Sequence, residues 1–156
     1  MIELNFETAI RAAPEQVFDL LADLRDYDRW LPRSPAFRGT TEISPGAIGV
    51  GTSYIERSPF GIRRGQVTEY ERPTRLGFEQ PMALGPRGLG EIGIRLAYRL
   101  RPEEGLVHVH RRLVLSPSGI ARLVLPFALG AFRAENVRVM EMLKRAAEAA
   151  QPNAAS

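Results

Sequence analysis

The stretch SGIARLVLPFALGAFRAENVRVMEMLKRAAEAA, Ser118 to Ala150, carries two apolar stripes on nearly opposite faces of one helix. One runs Ile120, Leu123, Val124, Phe127, Ala131 and Ala134. The other runs Leu125, Leu129, Phe132, Val139, Met140, Leu143 and Ala147. Both keep the three-and-four spacing of a helix face. A single stripe buries a helix against one partner, so two stripes require something against both sides of its first half. The short strand-like segments before it make one curved sheet the expected partner. The first stripe is expected to be gripped by the sheet and to face a pocket. The second is expected to pack on the sheet's edge, the short helices or a second copy. Pro126 removes a backbone hydrogen bond at a cost of about 3 kcal/mol, so the helix should kink or restart there, as the moving wall of a binding site would.

Working back from this segment, residues 2–10 alternate Ile2, Leu4, Phe6, Thr8 and Ile10 against polar neighbours, the period of a half-buried strand. Pro14 suits a first helical position and Glu15 complements the helix dipole. The helix they open puts Val17, Leu20, Leu21 and Leu24 on one face, with Phe18 beside them. A second short helix or turn, Asp26 to Leu31, ends at Pro32. An edge strand is expected from Phe37 to Ile43, then strands from Val50 to Arg57, Ile62 to Glu71 and Arg75 to Gln80. Gly65 suggests a bulge in the third of these, and 58–61 reads as a hairpin turn. The glycine- and proline-rich stretch 81–90 reads as a mobile loop, a gate beside a pocket mouth. Glu91 to Arg101 then alternates cleanly, with Ile92, Ile94, Leu96, Tyr98 and Leu100 inward. The last strand puts Val107, Val109, Leu113 and Leu115 on one face, and His108, His110 and Arg112 on the other. By parity Arg111 falls on the apolar face. Ser116 to Gly119 should begin the terminal segment. Runs of hairpins with helices segregated to the two ends argue for an α+β fold.

At 156 residues the chain fits one domain, expected over 1–150, with a disordered tail at 151–156. Such a length buries enough surface to fold without disulfides or metal, and the absence of cysteine excludes disulfides and thiolate chemistry. The net charge is +3, from 21 basic and 18 acidic residues, and only one of the basic residues is a lysine. The two signs are interleaved, as in RDYDR at 25–29 and RAENVR at 133–138, rather than gathered into the basic face a nucleic-acid binder needs. The first residues alternate at once, without the pattern of a signal peptide. The apolar region 119–132 is too short and too interrupted to cross a bilayer. The expected location is the cytoplasm.

The order of elements resembles the START-like, helix-grip superfamily (the SRPBCC group), in its polyketide cyclase/dehydrase and lipid-transport branch. The residues that carry the resemblance begin with Ala13-Pro14-Glu15-Gln16-Val17-Phe18-Asp19-Leu20-Leu21, leading to Tyr27 and Trp30. They continue in Gly49-Val50-Gly51-Thr52 and in Val67-Thr68-Glu69-Tyr70-Glu71 with Pro73 and Leu76, then in Leu143-Lys144 and Glu148. These motifs are structural rather than catalytic. The resemblance implies a bent antiparallel sheet of about seven strands around the C-terminal helix, with two short helices after the first strand and an apolar cavity between sheet and helix.

Cavity-lining residues are then the inward ones: Phe78, Leu96, Tyr98, Val109 and Arg111 from the strands, and Leu123, Phe127 and Ala131 from the helix. Trp30, Tyr54 and Tyr70 are further candidates. An apolar cavity with a few polar groups is what a small-molecule site requires; close packing of the same aromatic side chains is the alternative. Arg111 is the sharpest residue, because burying an unpaired guanidinium costs several kcal/mol. It should meet an anionic ligand, pair with Glu56 or Glu69, or be turned out by a bulge. His108 and His110 lack a third metal ligand and read as solvent-facing. No phosphate loop or nucleophile elbow occurs, so no cofactor and no metal are expected. The reading is a carrier of a small hydrophobic molecule (lipid, polyketide or aromatic). One alternative is a cyclase or dehydratase-like enzyme with Arg111 as electrophile and a tyrosine as acid. The other is an interaction or quinone-handling module, with a homodimer left open.

Overall fold

In the structure, a computed structural model that describes residues 1–34, 37–58, 61–85 and 89–150, strand β1 spans Ile2–Ile10 and helix α1 Pro14–Ala22. A 3-10 turn at Leu24–Arg29 follows, in place of the expected Asp26–Leu31 segment. Then come β2 (Thr40–Thr41), β3 (Ser53–Ser58), β4 (Gly61–Glu71), β5 (Arg75–Glu79), β6 (Met82–Leu84), β7 (Gly90–Glu103), β8 (Leu106–Gly119) and helix α2 (Ala121–Ala149). One antiparallel eight-stranded sheet runs β1-β8-β7-β5-β4-β3-β2, with β6 bridging β4 and β7. This is the α+β, helix-grip arrangement.

The frame is the β7–β8 hairpin, fourteen residues on each side, with β1 added to its outer edge from Ile2↔Leu115 to Ile10↔Val107. Alternation in all three strands puts Leu4 and Ile10, Ile92 to Leu100, and Val107, Val109, Leu113 and Leu115 into one core. The inward parity of β7 and β8 is as the pattern predicts. Strand β8 runs further than expected, taking Ser116–Gly119 into its ladder with β7.

Where alternation is weak, the chain differs from expectation. The edge strand expected over 37–43 shrinks to β2, with Phe37 in an isolated bridge to Ser34. The strand expected from Val50 begins only at Ser53. The hairpin tip at 59–60, the loop centre at 86–88 and the tail at 151–156 lie outside the described residues. The loop expected at 81–90 contains β6. Strands β5 and β6 form one interrupted strand between β4 and β7, broken at Gln80-Pro81, because Pro81 has no N–H to give the ladder. Gly65 marks no bulge; the register shift lies between Val67 and Glu69. Gly65 instead faces Tyr54 across the β3–β4 pair, where a Cβ would stand 2.1 Å from the Tyr54 ring.

Helix α2 is continuous across Pro126 and packs on β1 and β8, while its last turns meet the start of α1. There Gln16 Nε2 donates to the Ala147 carbonyl at 3.5 Å, and the Arg11 N–H to Glu148 at 3.0 Å. The sheet grips the stripe opposite to the one expected. Ala121, Leu125, Val139, Met140, Leu143 and Ala147 are buried, whereas Leu123 is 72% and Phe127 91% exposed. The reason is continuity. The buried stripe runs the whole helix with Asn136 as its one polar member, and so removes more apolar surface from water. The other passes after Ala134 into Arg138, Glu141 and Arg145, which need solvent. No helix among the described residues is long and apolar enough to cross a membrane.

This assignment separates two leucines of one helical turn. Leu125→Ala should lower unfolding stability by about 2–5 kcal/mol. Leu123→Ala should change it by no more than about 0.5 kcal/mol. Urea denaturation of both variants checks the difference, and equal costs would contradict it.

Candidate functional site

Between the sheet and the N-terminal half of α2 lies a cavity of about 120 Å³. Its apolar wall on the sheet side comes from β7, whose Ile92, Ile94, Leu96 and Tyr98 project inward in succession. On the helix side the wall is thin: Ala128 and Ala131 reach it beside Val124 and Phe132. Small side chains there leave space that Met140 and Leu143 fill further along the helix. The third wall is the segment after α1, through Tyr27, Trp30 and Leu31. Trp30 donates Nε1–H to the Leu20 carbonyl at 3.1 Å and Tyr27 its hydroxyl to that of Leu21, so both rings are held by the end of α1. Their rings meet edge to face at 5.3 Å.

A row of aromatic rings crosses the sheet beneath this space. Tyr54 meets Phe78 edge-on at 6.1 Å, Phe78 meets Tyr98 at 6.5 Å, and the Arg111 guanidinium lies 5.1 Å from the Tyr98 ring centre. The register puts Tyr98 and Arg111 directly opposite each other on β7 and β8. Arg111 donates Nε–H to Asn136 Oδ1 at 2.6 Å and an Nη1–H to the Tyr98 hydroxyl. Asn136, buried on α2, is itself fixed by donating Nδ2–H to the Phe132 carbonyl one turn back at 2.7 Å. Arg111 therefore clasps the sheet to the helix through two neutral partners. The surface it keeps faces the cavity.

No carboxylate among the described residues forms an ion pair with Arg111. Both carboxylates expected as partners are engaged elsewhere: Glu69 pairs with Arg99 at 2.6 Å, and Glu56 with Arg63 at 3.5 Å. Burial, with the like charge of Arg63 adding to it, pushes Arg111 down to about 10; the Tyr27 hydroxyl and the Glu56 and Glu135 carboxylates push the other way without offsetting it. Tyr27 and Tyr54 are pushed up, burial again leading and Glu56 next. Glu56, Arg63 and Glu135 line the same cavity, but Glu56 pairs with Arg63 and Glu135 with Arg138. Among the described residues Arg111 is therefore the lining charge left without an ion-pair partner, in a mainly apolar surround where an anionic group gains most.

Of the residues named from sequence, Trp30, Phe78, Leu96, Tyr98, Arg111 and Ala131 meet at this cavity. Tyr54 stands one step behind it, its hydroxyl accepting from Gln80 Nε2, and Gln80 reaches the cavity in its place. Tyr70 packs edge-on against Phe18 of α1 at 5.1 Å. Val109 is inward but closed into the core. Leu123 and Phe127 do not line the cavity, because α2 presents its other face to the sheet.

Glu56 is a lining residue that the sequence reading misses, although a signal exists: it shares parity with Tyr54 on β3 and is 6% exposed. One of its oxygens accepts from the Thr40 hydroxyl at 3.2 Å and the other faces Arg63. Tyr27 gives no such signal, since a 3-10 turn has no long periodicity. His108 and His110 lie on the outer face, against Glu103 and Asn5. No set of three metal-binding side chains occurs among the described residues.

The sequence of residues 1–148 matches the model of the family described as polyketide cyclase / dehydrase and lipid transport. No curated protein matches the chain. Among solved structures, a Mesorhizobium loti protein superposes with a TM-score of 0.73 at 14% identity, covering 97% of this chain and 100% of that one. A Thermus thermophilus protein gives 0.70 at 17% identity, and the Aha1 dimer from Colwellia psychrerythraea 0.65 at 19%. Both cover 97% of this chain and 100% of the other. At these identities the likeness is one of fold.

The clasp has a stability consequence. Asn136→Ala strands the Arg111 Nε–H in the interior and should cost about 1–3 kcal/mol. Replacing both partners, Arg111→Met with Asn136→Leu, should restore wild-type stability or exceed it by about 1–4 kcal/mol. Chemical denaturation of the two variants decides; a double variant weaker than Asn136→Ala would contradict the account.

Proposed function

Because the chain belongs to the polyketide cyclase / dehydrase and lipid transport family, we propose that its cavity binds a small, mostly apolar molecule whose anionic or strongly hydrogen-bond-accepting head rests on Arg111. The observation that carries this reading is the Arg111 guanidinium, buried at the cavity with only Asn136 and Tyr98 as hydrogen-bond partners among the described residues. A buried charge of that kind is costly until a counter-charge arrives. The same cost becomes binding free energy for an anion, because the ligand's head completes what the protein leaves incomplete. The apolar walls would hold the remainder of the molecule. At about 120 Å³ the cavity suits a short chain or a single ring, since sites for drug-sized ligands start at about 300 Å³. A longer ligand would require α2 to move outward, along the thin Ala128–Ala131 wall.

A cyclase or dehydratase-like activity is the second reading, and one observation favours it. Glu56 supplies the inward carboxylate such chemistry needs as a general base, at the same cavity as the polarising Arg111. Both its oxygens face partners, Thr40 and Arg63. A substrate would have to displace one of them.

Trp30, the only tryptophan and a cavity wall residue, provides the readout. Titration with hexanoate and benzoate should change its fluorescence saturably, about tenfold more tightly than with the corresponding methyl esters, because a hydrogen bond to a charged group is worth about 1.5–3 kcal/mol. Arg111→Met should abolish the preference for the acids. Equal affinity for acid and ester in the wild type would overturn the role given to Arg111.

A further inference from the structure

The face of α2 that the sheet does not grip is bare. Ile120, Leu123, Val124 and Phe127 are exposed along two turns, and Leu89, whose carbonyl accepts from the Ile120 N–H at 3.1 Å, extends the patch onto the β6–β7 connection. Pro126, Gly130, Ala131 and Ala134 continue it without a polar side chain. Exposed apolar side chains gathered on one helix face mark an interaction site rather than ordinary surface. The charges in it have one sign. Between Gly119 and Ala134 the only ionisable residues are Arg122 and Arg133, both exposed. Val124 and Ala131 belong both to this face and to the cavity wall, so the cavity lies directly beneath it.

We propose that this face docks on an anionic lipid membrane surface, with Leu123 and Phe127 inserted among the acyl chains and Arg122 and Arg133 at the headgroups. An apolar helix face flanked by arginines, with an aromatic ring at its centre, is the composition that lies in a membrane interface. A second copy of the chain fits less well. A two-fold contact through this stretch would bring the arginines of the two copies together, Arg122 against Arg133 with antiparallel helices or each against its own image with parallel ones, and no carboxylate lies from 119 to 134 to separate them. The net charge of +3 also favours approach to an anionic surface. Docked there, the cavity wall at Val124 and Ala131 would face the acyl region, and an apolar molecule could pass between membrane and cavity without crossing water. The docking itself goes beyond the proposed ligand and stands without it, since the patch is exposed whatever the cavity holds.

The test is flotation of the unliganded protein with phosphatidylcholine vesicles, prepared with and without phosphatidylserine. The wild type should float with the phosphatidylserine vesicles and lose binding at high salt. Leu123→Asp with Phe127→Asp should reduce the bound fraction roughly tenfold or more, while Arg122→Gln with Arg133→Gln should reduce it a few-fold. All four substitutions are on exposed side chains, so thermal melts should match the wild type and exclude misfolding. Wild-type protein that stays unbound on both vesicles overturns the proposal, as does equal binding to both. A wild-type dimer in light scattering that Phe127→Asp dissociates, without flotation, would assign the face to a second copy instead.

Discussion

The positive charge of Arg111 is the constraint around which the cavity is built. It reaches the interior because β8 must alternate: Val109 and Leu113 fix the inward face, and parity carries Arg111 with them. An interior guanidinium needs its donors satisfied, and two elements supply the acceptors. Strand β7 offers the Tyr98 hydroxyl across the register, and α2 offers Asn136 from its buried face. These partners take two of the five N–H donors and leave the charge. That asymmetry, hydrogen bonds made around an incompletely balanced charge, is the observation on which the proposed anion site rests.

The space beside Arg111 follows from how residue size is distributed along α2. Its C-terminal half closes on the sheet with Val139, Met140, Leu143 and Ala147, and there the interior is packed. Its N-terminal half brings alanines to the inner surface, so the sheet's curvature is not filled. At the interruption of the β5–β6 strand, Gln80 keeps its N–H bond to the Ile94 carbonyl at 2.8 Å and follows Leu76 and Phe78 inward by parity, where it holds Tyr54 and adds a polar group to a mainly apolar wall. The same helix thus closes one end of the core and roofs a hollow at the other, with its outer face left apolar.

Much of this is legible in the residues. Strict alternation in 2–10, 91–101 and 107–115 identifies the strands, their inward faces and Arg111 itself, because period two is unambiguous when one face is buried. The element order implies the helix-grip fold. Spacing alone picks the wrong stripe of α2 for the sheet, although the charges at Arg138, Glu141 and Arg145 continue the exposed stripe and mark it as the solvent side. Strand β6 is illegible in principle: three residues between proline and glycine carry no period. Glu56 escapes as a cavity residue when its strand is placed without assigning parity, and Tyr54, buried beside Gly65, is the key to it. Tyr27 depends on tertiary placement by α1 and the following turn, which no local pattern encodes.

The central claim is that Arg111 awaits an anionic partner. Native mass spectrometry of the wild type and of Arg111→Met, each purified gently from the organism that makes it, tests this most directly. The account predicts that the wild type carries a small acidic molecule, released on denaturation, and that the Arg111→Met protein is bare. A wild type with the mass of the chain alone, or the same adduct on both proteins, would contradict it.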